Sequence, residues 1–231
     1  MLFRSFYPRL PAELVAIWQP PASAYRVQQV HGDRLLTPTE IEQEATENVL
    51  PPADALISDG TEQSLWVASA DCTPALIGDL TTGRVAAIHA GWRGTAKRII
   101  PKTIARFLEF GSALADLRIA LGPAIAGEVY QVTLEVAAEV GASLFQPEEI
   151  DAPETILEAL QAISDPPLLP DPEPGRIRLD VRRTNALQLE QLGITPGQIA
   201  IAPYCTYQQP QYFFSYRRTQ QKNVQWSGIT L

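Results

Sequence analysis

The stretch Leu65–Gly94, LWVASADCTPALIGDLTTGRVAAIHAGWRG, most constrains what this chain can fold into. It contains short apolar runs separated by turn residues such as Thr81 and Gly83. Short apolar runs bounded in this way are typical of buried strands and hairpins. The first run leads to Cys72 and the last run ends at His89. We therefore predict a hairpin that brings Cys72 and His89 together, with the small residues around them leaving room for a ligand.

Histidine and cysteine are scarce in this chain. The sequence holds two histidines, His31 and His89, and two cysteines, Cys72 and Cys205. Three of the four lie in compact, glycine-flanked or acidic contexts: Val-His-Gly, Ala-Asp-Cys and His-Ala-Gly. This placement indicates a site built from His31, Cys72 and His89. Cys205, beside a proline and a threonine, is predicted to be structural.

The composition restricts the class of protein and its partners. A chain of 231 residues with 45% hydrophobic and 19% charged residues is typical of one globular domain, here taken as 1–231. The formal net charge of −8 argues against a nucleic-acid or anionic-membrane partner, since such binding depends on clustered Lys and Arg. The sequence shows no apolar run of the roughly 18 residues that span a bilayer, and no signal-peptide pattern. We therefore expect a cytoplasmic protein with reduced cysteines.

Hydrophobic periodicity predicts the elements around the central stretch. The predicted strands are Leu14–Trp18, Tyr25–Val30, Ala53–Gly60, Leu117–Leu121, Ile199–Ala202, Tyr212–Arg218 and Val224–Ile229. The predicted helices are Thr95–Phe110, with a break near Pro101, Leu134–Phe145 and Asp180–Leu192. Residues 37–53 are predicted to be a solvated connection. The proline- and acid-rich residues 147–175 are predicted to be a surface insertion with one short helical patch.

The trio His31, Cys72 and His89 allows three interpretations. Two imidazoles and one thiolate are a ligand set of catalytic zinc, with the fourth position left to water or substrate. The three residues are far apart in sequence, however, so a strand-capping His31 with Cys72 and His89 in the core explains the spacing equally well. A third interpretation makes Cys72 a nucleophile and His89 its base, as in a hydrolase. His31 distinguishes the zinc interpretation from the hydrolase interpretation, because a nucleophilic cysteine needs one histidine and a metal uses both.

Arg93 and Asp71 have two interpretations each. Arg93 lies at a turn that enters a predicted helix, where backbone N–H groups and a guanidinium can hold a phosphate. An ordinary surface arginine fits the same position. Asp71 either orients a ligand as a hydrogen-bond acceptor or binds a turn amide. Arg217 and Arg218 follow an aromatic run, and a solvated strand end explains them as well as anion binding does.

Six segments of the chain resemble one known family. They are VHG at 30–32, ADCTPALIGD at 70–79, AIHAGWRG at 87–94, LGPAI at 121–125, LDVRRTNALQLEQLGI at 179–194 and FFSYRR at 213–218. These segments are similar, in order, to the multicopper polyphenol oxidase or laccase-domain family, also called the YfiH family of purine nucleoside phosphorylase type. The combination of ADC with HAGWRG is highly specific for that family.

The resemblance implies a fold, a metal and an activity. The implied fold is α+β, a mixed β-sheet sandwich flanked by helices. The implied zinc ligands are His31, Cys72 and His89. The implied reaction is phosphorolysis of adenosine, inosine and S-methyl-5′-thioadenosine, with adenosine deamination as a second activity. Within that reaction we assign Cys72, His89 and Arg93 as catalytic residues, with Arg93 and Arg217 as the candidates that neutralise phosphate.

The family name also implies alternatives. Copper-dependent phenol oxidation would require copper in place of zinc, yet two histidines cannot furnish the ligands of several copper centres. Editing of peptidoglycan precursors is another activity linked to the family. Two departures from the family pattern concern the substrate: the amino-terminal region lacks the glycine-rich and Asn-Arg motifs, and Gln131 stands where the family often has glutamate.

Overall fold

The computed structural model describes residues 2–3, 10–19, 21–47, 49–146, 150 and 152–230. The strands within these ranges are β1 (Leu2–Phe3), β2 (Ser23–Tyr25), β3 (Leu35–Leu36), β4 (Ala55–Ile57), β5 (Gln63–Ser69), β6 (Thr73–Asp79), β7 (Val85–Ala90), β8 (Leu117–Leu121), β9 (Gln131–Thr133), β10 (Leu168–Leu169), β11 (Arg176–Leu179), β12 (Ile199–Ile201) and β13 (Gln225–Thr230). The α-helices are α1 (Pro11–Trp18), α2 (Pro38–Glu44), α3 (Trp92–Ala96), α4 (Ile99–Glu109), α5 (Leu134–Ala142), α6 (Pro153–Ala162), α7 (Val181–Gln191) and α8 (Tyr216–Thr219). Short 3-10 turns cover Leu114–Asp116, Gly127–Val129 and Pro196–Gln198.

Two mixed sheets form a sandwich. A six-stranded sheet in the order β12-β8-β6-β7-β4-β3 packs against a four-stranded sheet in the order β1-β13-β5-β2. Apolar side chains fill the space between them, among them Leu65 and Val67 of β5 and Leu76 and Ala87 of the facing sheet. Burying these side chains removes apolar surface from water, which is the main force that holds the two layers together.

Helices cover the outer faces of the sandwich. Helices α4 and α7 pack on the far side of the six-stranded sheet, where Ile104 and Phe107 meet Ile77 and Ile88. Helix α1 covers the four-stranded sheet by packing Leu14 against Trp66. A third sheet, β10-β11-β9, packs with α5 and α6 in a separate apolar cluster. This α+β sandwich flanked by helices confirms the fold class predicted from the sequence.

The predicted central hairpin is present. Strands β6 and β7 pair antiparallel, with Pro74 opposite His89 and Thr73 opposite Ala90. Asp79 closes the turn by accepting backbone hydrogen bonds from Thr81 and Thr82. Strand β5 lies in the other sheet, so the residues between β5 and β6 cross from one layer to the other.

Three predicted elements are wrong. Leu14–Trp18 is part of helix α1, which begins at Pro11. The Glu13 side chain accepts a hydrogen bond from the backbone N–H of Leu10 at the start of this helix. Within residues 37–53, Thr37 and Glu40 form a capping box that starts helix α2. The Thr-x-x-Glu pattern of this capping box is visible in the sequence and predicts the start of a helix.

Tyr212–Arg218 is not a strand either. It contains turns followed by the short helix α8, capped by the Ser215 side chain. The Arg218 guanidinium donates to the carbonyls of Thr206, Tyr207 and Phe213, which folds this segment onto itself. Because these hydrogen bonds join a side chain to backbone carbonyls 5 to 12 residues away, the alternation of side chains could not indicate them.

Two further elements differ from the predictions. The predicted helix Thr95–Phe110 is two helices, and the break is at Arg98, whose φ of 61° is left-handed, with Pro101 inside the first turn of α4. In the predicted insertion, residues 147–149 and 151 lie outside the described residues. The described part packs closely: Ile156 and Leu160 of α6 are buried against Gly141 of α5.

Candidate metal centre

His31, Cys72 and His89 come together at one end of the sandwich. Their potential ligand atoms all lie within 4.8 Å of one another. The two imidazole rings meet edge to face, with centroids 4.8 Å apart. His89 is buried on β7, Cys72 is half-buried just before β6, and His31 is exposed. The structure thus joins the three residues that the sequence singled out.

A buried carboxylate fixes both histidines. Asp54 has no exposed surface, and its carboxylate oxygens accept backbone N–H groups of Val30, His31 and Gly32 at 2.7–3.1 Å. The same carboxylate lies 2.8 Å from Nδ1 of His89. His31 has a left-handed φ of 59°, a conformation that costs energy for a residue with a Cβ and that these bonds help to hold. The strand predicted over Tyr25–Val30 ends at Tyr25, because the following residues wrap around Asp54.

The backbone next to the cluster leaves space for the thiol. A Cβ built on Gly91 would lie 2.8 Å from Sγ of Cys72 and 3.4 Å from Cδ2 of His31. A Cβ on Gly94 would lie 3.0 Å from the carbonyl oxygen of Gly32. These two glycines of the HAGWRG segment therefore allow the loops that carry His31 and Cys72 to approach β7 closely.

Asp71 connects the turn that carries Cys72 to three residues that are distant in sequence. Its φ is 90°, and its carboxylate accepts from the hydroxyl of Thr206 and from the backbone N–H of Arg217, both at 2.7 Å. Its carbonyl accepts from the N–H of Ile125 at 2.9 Å. The amide that Asp71 binds therefore belongs to Arg217 in α8, and not to the turn that carries Cys72.

A cavity of about 750 Å³ opens beside the cluster. Arg93 and Arg217 line it, and each guanidinium lies over an aromatic ring: Arg93 over Trp92 at 4.3 Å and Arg217 over Tyr130 at 4.8 Å. Stacking restricts both guanidinium groups, and that of Arg217 also donates one N–H to the carbonyl of Gln131 at 3.0 Å, which leaves its other donors for a ligand. Two further cations on the cavity wall are Arg26 and Lys222.

The electrostatics of the cluster favour an ionised thiol. Burial raises the pKa of Cys72, but hydrogen bonds and charge interactions with His31 and His89 outweigh burial and lower it to about 6. Burial lowers the pKa of His89, whereas the hydrogen bonds to Asp54 and Cys72 raise it to about 9. Burial also raises the pKa of Tyr130 to about 12, so its hydroxyl stays a neutral hydrogen-bond donor.

The donor set fits zinc. A thiolate and two imidazoles are ligands that zinc binds in three-ligand sites, and Cys72 lines the cavity together with both histidines. The Nδ1 bond from His89 to Asp54 leaves Nε2 of that ring to face the cluster, as is usual for a metal-binding histidine.

Some residues around the cluster of His31, Cys72 and His89 were not predicted from the sequence. Asp54 lay inside a predicted strand without a motif to mark it, and Trp226, which also lines the cavity, carried no signal. Gln131 is held outside the cavity wall, where its amide donates to Asp171 and Glu173. Cys205 is buried and accepts from the N–H of Ala126 at 3.3 Å, in keeping with the predicted structural role.

The sandwich and its His-Cys-His cluster define an α+β protein with one candidate metal centre in the described ranges. The family model described as multi-copper polyphenol oxidoreductase laccase matches residues 12–231. The chain belongs to this family, which confirms the resemblance. Among the described residues, no helix is long and apolar enough to cross a membrane.

Similar proteins agree with this assignment. A Synechocystis protein named purine nucleoside phosphorylase is 58% identical over 228 residues, which is 98% of this chain and 86% of that protein. A Bacteroides thetaiotaomicron protein of the same name is 31% identical over 211 residues, covering 91% of this chain and 70% of that one.

Solved structures share the fold. The hypothetical protein YfiH of Bacillus licheniformis superposes with a TM-score of 0.77 at 25% identity, over 95% of this chain and 79% of that one. YlmD of Geobacillus stearothermophilus gives a TM-score of 0.77 at 27% identity, over 95% and 76% of the two chains.

Proposed function

We propose that this protein is a zinc-dependent purine nucleoside phosphorylase of a single catalytic domain, acting in the cytoplasm on adenosine, inosine and S-methyl-5′-thioadenosine. The observation that carries the proposal is the cluster of His31, Cys72 and His89 in the wall of a cavity that also holds two stacked guanidinium groups. The relatives named purine nucleoside phosphorylase support the same reaction.

His31, Cys72 and His89 would hold the zinc. Zinc at this centre would supply Lewis acidity for polarising an oxygen of the substrate, of phosphate or of water. Asp54 keeps Nδ1 of His89 engaged, and so orients the ring toward the cluster.

Arg93 and Arg217 would hold the attacking phosphate. Their N–H donors suit the geometry of a phosphate oxygen pair, and their charge offsets the charge of the anion. Phosphate then attacks C1′ of the ribose while the bond from C1′ to the purine nitrogen breaks, and that nitrogen takes up the proton that hydrogen phosphate gives up. The products are the free base and ribose 1-phosphate, or the 5-methylthio form of this sugar phosphate from S-methyl-5′-thioadenosine. The protonated Tyr130 hydroxyl, close to Arg217, adds a neutral donor on the same side.

Adenosine deamination is the second activity that we propose for the same site. Three protein donors leave one coordination position for water or substrate, which is the arrangement that hydrolytic zinc sites use. The expected products are inosine and ammonia, formed without phosphate.

A cysteine hydrolase is the alternative with a specific observation in its favour. Asp54, His89 and Cys72 follow one another in the order of an acid, a base and a nucleophile. His31 favours the metal instead. It also contacts the Cys72 thiol, and a nucleophilic cysteine needs only one histidine as its base. For a conventional oxidase with several copper centres, the two histidines of the sequence remain too few.

The test compares metal-loaded and metal-free protein with adenosine and inosine, with and without phosphate. Base and ribose 1-phosphate are followed by chromatography, and zinc content is measured on the same samples. Cys72→Ala should lose zinc and phosphorolysis together. The matched control is Cys205→Ser, which keeps an acceptor for Ala126 and should retain both. Phosphorolysis that survives in Cys72→Ala, or in protein stripped of metal, would contradict the proposal.

A further inference from the structure

Trp226 lines the cavity of the candidate metal centre from the opposite sheet. It lies on β13, where it pairs with Ala68 of β5. Its half-buried ring packs against the cluster of Leu14, Val15 and Trp66 under helix α1. The indole is therefore anchored by the protein and also forms part of the cavity wall.

Two of the other three Trp and Tyr rings of the cavity are covered by arginines, and the third, Tyr216, precedes Arg217 on α8 and so lies on the side assigned to phosphate. Arg93 covers Trp92, and Arg217 covers Tyr130. A guanidinium stacked on a ring occupies the face on which a purine would otherwise lie. Trp226 pairs with Ala68 of β5 on one side and with Phe3 of β1 on the other, and on the β5 side the alanine methyl group leaves the adjoining space open.

The geometry of the displacement places the purine base away from Arg93 and Arg217, the residues proposed to hold phosphate. In a displacement at C1′, the attacking phosphate oxygen and the departing purine nitrogen lie on opposite sides of that carbon. Arg217 is held beside Cys72 through the bond from its N–H to Asp71. Trp226 pairs with Ala68 across the two strands. Ala68 precedes Cys72 by four residues, and an extended chain of four residues spans at most roughly 13 Å. That span suits a nucleoside with its ribose at the cluster and its base at Trp226.

We propose that Trp226 is the stacking surface for the purine base, and so a residue that determines substrate affinity at this site. This inference rests on the proposed phosphorylase function. Small apolar residues of the same wall, Val27, Ala68 and Val224, complete a surface that suits the flat face of a heterocycle. Stacking does not read the substituent at position 6 of the purine, so adenosine and inosine should both be accepted.

Steady-state kinetics of Trp226→Leu test this assignment. Loss of base stacking should raise the KM for inosine about tenfold, and leave the KM for phosphate and the zinc content unchanged. Trp18→Leu is the matched control, because Trp18 lies on α1 and is 51% exposed; it should leave both KM values unchanged. Equal changes in both KM values of Trp226→Leu, or no change in either, would overturn the assignment.

Direct binding separates this inference from the reaction. Adenine should quench the tryptophan fluorescence of wild-type protein, and Trp226→Phe, which keeps a ring, should bind adenine with similar affinity but lose most of that quenching. Trp92→Phe should retain the quenching. Undiminished quenching in Trp226→Phe would overturn the inference even if phosphorolysis is observed. Quenching assigned to Trp226 in a protein that phosphorolyses no nucleoside would uphold the base site and reject the reaction.

Discussion

Nδ1 of His89 lies 2.8 Å from Oδ1 of Asp54, and that carboxylate also receives the backbone N–H of His31 at 3.0 Å. One buried side chain therefore sets the orientation of both histidines, although they lie on different parts of the chain. A carboxylate that holds a metal-binding imidazole in this way fixes its tautomer and direction.

Asp54→Ala should weaken zinc binding by about tenfold to a hundredfold, because it frees the His89 ring and leaves the N–H groups of residues 30–32 without their acceptor. Competition with a chromophoric chelator measures the affinity. Asp79→Ala is the matched control, since Asp79 is a buried carboxylate that binds turn amides at the far end of β6. It should lower the melting temperature and leave zinc affinity unchanged. Equal zinc affinity in both variants would rule out the role of Asp54.

Gly91→Ala should disturb the cluster itself. The added Cβ would lie 2.8 Å from Sγ of Cys72, so the thiol must move and zinc affinity should fall by about tenfold or more. Gly197→Ala is the control, because a Cβ there meets nothing within 4 Å. Cobalt substitution gives a second readout, since the sulfur-to-cobalt absorption band reports the Cys72 contact. An unchanged band in Gly91→Ala would show that the loop absorbs the extra carbon.

The metal-free protein should carry a reactive thiolate. With the pKa of Cys72 lowered to about 6, most of its thiol is ionised at pH 7. Because the surroundings favour the charged thiolate, the rate of alkylation by iodoacetamide should rise as pH increases through about 6 and then level off. An unperturbed cysteine would continue to gain reactivity toward pH 9. Saturating zinc should suppress the labelling, and Cys72→Ala should abolish the fast phase, because Cys205 is buried. Labelling that rises only above pH 8 would contradict the lowered pKa.

The sequence predicted the centre of this fold well and its edges poorly. The β6–β7 hairpin and the meeting of Cys72 with His89 follow from local patterns, namely apolar runs and a turn. Asp54 could not be found in this way, because its partners are backbone amides that a loop brings to it from residues 30–32. The same holds for Trp226, whose position in the cavity depends on pairing between β13 and β5.

Arg217 and Arg218 are adjacent in sequence but should behave differently on mutation. The Arg218 guanidinium donates to three carbonyls of the segment 206–213, so Arg218→Ala should lower the melting temperature by several degrees. Arg217 is exposed, stacks on Tyr130 at the cavity and donates to one carbonyl, that of Gln131, so Arg217→Ala should lower the melting temperature less than Arg218→Ala. It should instead raise the KM for phosphate about tenfold, with the KM for inosine little altered.

Asp71→Asn provides a graded version of the same experiment. Asparagine keeps one acceptor oxygen for the N–H of Arg217 and can donate to the Thr206 hydroxyl, but it has lost the negative charge, so the bond to Arg217 is weaker and this residue is held less firmly. The phosphate KM should then rise by a smaller factor than in Arg217→Ala, and the double variant should be no worse than Arg217→Ala alone, because Asp71 acts on phosphate through Arg217. Additive effects in the double variant would mean that Asp71 contributes to the reaction by another route, such as the position of Cys72.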